Sequence, residues 1–181
     1  MSEFSNASSS TPDDISAYVE SLLGLLGDRD PFEVLRETPD AVRLAVRGLT
    51  DTQLSTPERD LKWSVRQVVQ HMADAELVGS FRYRMALAHD APSLPGYDQD
   101  AWARALRYEH AAIEDAVGDF ARLRQANLRL LTRTTPVERA RVVRHAERGD
   151  ESITQMIRLY AGHDLVHRKQ ITRIRAAIGA R

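Results

Sequence analysis

The chain has 181 residues, 43% of them hydrophobic, and 25 Lys and Arg stand against 26 Asp and Glu for a formal net charge of -1. That much apolar material suits one packed domain, and so even a charge balance excludes the broad basic footprint that nucleic-acid binding uses. Cysteine is absent, which removes disulfides, thiolate ligands and a cysteine nucleophile together, so any metal must be held by His, Asp or Glu.

The opening "MSEFSNASSSTPDD" has neither a basic n-region nor an apolar h-region. No run of about 18 apolar residues occurs, so neither secretion nor membrane spanning is expected and the expected compartment is the cytoplasm. Residues 1–11 are polar and serine-rich and read as a flexible tail, which leaves residues 12–181 as a single domain. Thr11-Pro12 followed by two aspartates opens a helix with Ile15, Val19, Leu22, Leu23 and Leu26 on its apolar side and Gly27 at its end. Asp30-Pro31 opens a second helical segment to about Leu49, which Pro39 is expected to interrupt.

"TDTQLSTPERDLKW" reads as an irregular connection with one short turn. Ser64 with Gln67 is a capping-box pair, and Val65, Val68, Val69, Met72, Ala75, Val78, Phe81 and Met85 follow at three- and four-residue steps. That spacing predicts a long amphipathic helix over 64–89. After the loop "DAPSLPGYDQ" a third long helix is expected from Asp98 to Thr132, stopped by Thr134-Thr135-Pro136. "VERARVVRHAERGD" has no clear assignment, and the last long helix spans about 151–178. With no sustained period of two and no internal repeat, the fold class is all-α: an antiparallel four-helix bundle with extra N-terminal helical segments.

The last helix contains "GHDLVH", which places His163 and His167 four residues apart and so on one face. Stepping back from Ile174 and Ile171 passes through His167, Tyr160, Met156 and Ile153, so the pair lies on or beside the core stripe. Two buried imidazoles without partners would be costly, whereas a metal satisfies one nitrogen of each. His71 sits at the edge of the apolar stripe of the 64–89 helix, so three histidines can converge across two helices. Three such ligands leave positions open for water or substrate, the pattern of catalytic metal sites. Asp74 and Asp164 are candidate acceptors for the imidazole N–H groups. Glu76 is weighed as a proton acceptor against a solvated or ion-paired role. For His89, His110 and His145 the expected role is a solvated side chain.

"KWSVRQVVQHMADAE" and, much later, "YAGHDLVHRKQI" resemble the DinB-like superfamily, especially its YfiT-like group of candidate metal-dependent hydrolases. Trp63-Ser64-Val65, His71, and the His163/His167 pair match the family's motifs, and the resemblance covers most of the chain from about Asp14. It implies a four-helix bundle, often a homodimer, with a divalent zinc, nickel or iron ion on His71, His163 and His167. It also implies a small-molecule substrate, and either a thiol S-transferase using bacillithiol, mycothiol or a similar low-molecular-weight thiol, or a hydrolase using water. Inheriting a reaction from a fold is analogy. The rival expectation is a non-catalytic metal-binding stress-response bundle acting as an interaction module. No nucleic-acid or membrane partner is expected.

Overall fold

The computed structural model describes residues 11–180. Except for Thr11, the expected tail lies outside them. Thr11 closes a capping box with Asp14 and starts α1, Pro12–Leu26. Asp30 accepts from the Phe32 N–H at 2.8 Å and starts α2, Pro31–Val46. A short α3, Asp51–Ser55, fills the connection before α4, Val65–Ala88. The last long helix, α8, spans Ile153–Ala177 and opens with a Ser152–Gln155 capping box. In each case a side-chain oxygen takes an N–H that the first helical turn leaves without a partner.

The structure departs from or completes the sequence reading at three places. Pro39 does not interrupt α2, which runs through it. The expected third long helix is divided into α5, Gln99–Ala105, a 3-10 turn at Tyr108–His110, and α6, Ile113–Leu131. Arg107 adopts a left-handed backbone at the break. The division lets Tyr108 enter the core, where it is buried and donates to Asp74 at 2.5 Å. It also leaves the Ala111 carbonyl free to accept from Arg66 at 2.6 Å. Third, the unassigned segment holds α7, Pro136–Arg139, and a hairpin of β2, Val142–His145, with β3, Gly149–Ser152. Strand β1, Ser93–Leu94, pairs parallel to β2 with Leu94 opposite His145, which makes a small three-stranded sheet.

Helix α4 packs against α6 and α8, and α2 packs against the same two. The four close the expected bundle, with α1 laid against α8 from outside. One apolar cluster gathers Trp63, Val65, Val68, Met72, Phe120, Ile171 and Ile174, and a second gathers Leu35, Tyr83, Leu131, Ile157, Ala161 and Leu165. Along α4 and α8 these two clusters are separated by buried polar side chains, among them Glu76 and His167. No helix among the described residues is long and apolar enough to cross a membrane.

Candidate metal centre

The capping box at Ser64 fixes the start of α4, and Trp63 just before it is buried with its ring 5.0 Å from that of His71. His163 and His167, one turn apart on α8, face His71 across the bundle. His163 Nε2 lies 3.1 Å from His71 Nε2 and 3.1 Å from His167 Nε2. Two nitrogens at about 2.0–2.1 Å from one tetrahedral ion stand about 3.3 Å apart, so the separation suits a shared ion. No fourth His, Cys, Asp or Glu among the described residues joins this cluster.

The rings are prepared as lone-pair donors. Gln170 Oε1 is 2.8 Å from His167 Nδ1, which places the hydrogen on Nδ1 and leaves Nε2 free. Burial drives the pKa of His71 and of His163 well below the ordinary imidazole range, with neighbouring His167 adding to the effect in both. Burial brings His167 down to about 4, against the opposing pull of Gln170. All three are therefore neutral at pH 7. His71 Nδ1 is buried without a hydrogen-bond partner, an isolated polar atom of the kind that marks functional sites.

The carboxylates expected to support these rings do other work. Asp74 accepts from Tyr108 at 2.5 Å and from Gln70 at 3.2 Å. Asp164 takes two bonds from Arg124, at 2.5 and 3.0 Å, and Glu76 accepts from Arg124 at 2.9 Å and from Asn127 at 2.8 Å. Glu76 thus takes the ion-paired role weighed for it, buried against Arg124 rather than solvated. Neighbours in a helix project about 100° apart, so Asp164 points away from the side that His163 uses. Burial opposes the charge on Arg124, but the two carboxylates outweigh it and raise its pKa. The supporting acceptor is Gln170 instead, three residues after His167, a spacing that the sequence already displays.

His89 and His110 are exposed, as expected. His145 is not, because the two-residue period of β2 turns it to the same inner side as Val143. It is 3% exposed and lines a cavity of about 140 Å³ that His71 and His163 also line. Tyr18 and Leu22 of α1, Tyr160 of α8 and Arg82 of α4 complete much of its wall. Gly79 makes room for Tyr160: a Cβ there would stand 2.8 Å from the ring. The sequence reading missed Arg82, Tyr160 and His145 because only the fold brings α1, α4, α8 and the hairpin around one space.

The profile of the DinB superfamily matches residues 35–171. YfiT of Bacillus subtilis, named as a candidate metal-dependent hydrolase, is 32% identical over 152 residues, which covers 82% of this chain and 84% of that protein. A similarly named Oceanobacillus iheyensis protein is 30% identical over 138 residues, 76% and 80% of the two chains. A Geobacillus thermodenitrificans relative is 41% identical over a shorter stretch of 83 residues, which spans 47% of its length. The solved structure of YfiT, described as a four-helix bundle of unusual topology, superposes with a TM-score of 0.78 at 29% identity. That match covers 82% of this chain and 86% of YfiT.

Proposed function

Because this chain belongs to the DinB superfamily and gathers three imidazole nitrogens beside a pocket, we propose that it is a metal-dependent hydrolase acting on a small molecule. His71, His163 and His167 hold a divalent ion through Nε2. Such an ion supplies Lewis-acid chemistry, lowering the pKa of a water or thiol and polarising an acyl oxygen.

The chain's own residues do the rest. Gln170 orients His167. Burial keeps the three rings unprotonated, and Tyr18 and Leu22 of α1 form part of the pocket wall. The observation that favours catalysis over a closed structural site is that His71 and His163 face a cavity and that, among the described residues, no fourth His, Cys, Asp or Glu joins them. A cavity of about 140 Å³ is smaller than the roughly 300–1,000 Å³ typical of drug-sized ligands, so the substrate is compact or slender.

Metal analysis of protein purified without a histidine tag tests the site. An ester and amide hydrolysis screen, run with and without an added low-molecular-weight thiol, tests the reaction. We expect about one divalent ion per chain and turnover that disappears with chelation and returns on reloading. Turnover that requires the thiol would move the assignment to thiol transfer, for which this cysteine-free chain needs an external sulfur donor. A protein that binds no ion would end the proposal.

A further inference from the structure

The pocket that His71 and His163 line also holds two buried donor atoms without acceptors. Arg82 is 6% exposed. Its Nη2 donates to the Pro95 carbonyl at 3.2 Å, while its Nε is buried without a partner. Pro95 follows Leu94, which pairs with His145 in the sheet, and Arg82 and His145 line the same cavity. The Glu147 N–H donates to His145 Nδ1 at 3.2 Å. The hydrogen of the neutral ring therefore sits on Nε2, which is also buried without a partner. Burial first, then Arg148 and Arg82, hold the pKa of His145 down at about 3, so the ring is neutral at any physiological pH.

Buried donors without acceptors are uncommon in native proteins, and two beside one cavity point to an acceptor supplied from outside. The nearby charges leave Arg82 available. Arg148 is bound to Glu151 through both Nε and Nη2. Asp14 is held by the Thr11 N–H and hydroxyl. Glu147 also lines the cavity, but among the described residues no carboxylate forms an ion pair with Arg82. The guanidinium also hydrogen-bonds the Tyr160 phenol, which carries no charge to neutralise it, and one cation without a counter-charge beside one neutral N–H donor matches a single negative charge spread over two oxygens.

Arg82 follows His71 by eleven residues on α4, about 16 Å of helix axis, and its long side chain leans back toward His71. We propose that Arg82 and His145 form the subsite for a substrate carboxylate, so that the substrate is a slender molecule whose carboxylate is several bonds from the group facing His71 and His163. The inference rests on the hydrolase reading for the direction of the substrate, but the subsite is tested separately from the metal.

Calorimetric titration of the protein as purified with hexanoate, and with hexanamide as its uncharged counterpart, measures the subsite. Hexanoate should bind at least about tenfold more tightly, the effect of one charge-assisted hydrogen bond. Arg82→Gln should remove that preference while keeping full metal content. His145→Asn keeps an acceptor for the Glu147 N–H but lacks the outer donor, and should weaken hexanoate several-fold. It serves as the second test if Arg82→Gln does not fold. His163→Ala should lose metal yet keep the preference for hexanoate. Equal binding of the two probes, or no binding of either, overturns the subsite. So does a preference that survives in both Arg82→Gln and His145→Asn, or one that vanishes in His163→Ala because the carboxylate sat on the metal. Full metal content in His163→Ala would instead overturn the hydrolase reading and leave the subsite standing.

Discussion

Arg124 donates to the Leu35 carbonyl at 2.9 Å, the carbonyl that Pro39 leaves without a helical partner because proline has no N–H. A side chain from α6 thus repairs the gap that was expected to break α2. The same guanidinium binds Asp164, the residue beside His163, and Glu76. Arg124→Met should destabilise the protein by about 3–5 kcal/mol, since both carboxylates would remain buried without a counter-charge. Urea unfolding would measure it. Adding Glu76→Gln and Asp164→Asn should recover part of the loss, and a triple variant no more stable than Arg124→Met would contradict this account.

Removing one of three ligands should abolish tight metal binding, so His71→Ala and His163→Ala should purify with little ion while exposed His89→Ala keeps the full amount. Plasma emission spectrometry reads this directly. Gln170→Ala leaves all three ligands but frees the His167 ring, and metal affinity should fall about 10–100-fold in a chelator competition.

The buried histidines also set an acid limit for the metal-free protein. His167, at about 4, and His145, at about 3, lie below the ordinary imidazole value in the folded state, so the unfolded chain binds more protons and stability rises with pH. The loss begins as pH falls through about 6.5 and reaches about 2 kcal/mol per histidine at pH 5. Urea midpoints of chelated protein should therefore drop between pH 7.5 and pH 5, with a smaller drop in His145→Asn. A midpoint independent of pH over that window would refute it.

Gly162, in the same turn as His163, touches α1. A Cβ at this position would overlap the Leu22 carbonyl oxygen and stand 2.8 Å from its carbon. Because the obstacle is backbone, Gly162→Ala should force α1 away from α8 and cost about 1–3 kcal/mol. Gly24, in the middle of α1 with nothing within 4 Å of an added Cβ, is the control. Gly24→Ala should be neutral or stabilising by up to about 1 kcal/mol. Thermal melting of the two variants compares them, and equal midpoints would refute the close approach.

The helices α1, α2, α4 and α8, the caps at Thr11, Asp30 and Ser64, and the shared face of His163 and His167 were legible in the sequence, whereas the break that separates α5 from α6 was not. Helical period and capping are local properties, written within a few residues of where they act. His71 could be added because it lies on the edge of a clear apolar stripe. Local pattern could not say which neighbours those faces would meet. That Arg124 binds both Asp164 and Glu76 and completes α2 at Leu35 depends on four helices brought together from distant parts of the chain. The burial of His145 depends on a four-residue strand too short to show its period, and that strand is held by a loop some fifty residues earlier. The sequence by itself determined four of the long helices and the grouping of three histidines. Tertiary packing decided which polar side chains face the pocket and which neutralise one another behind it, because burial and pairing are set by distance in space rather than along the chain.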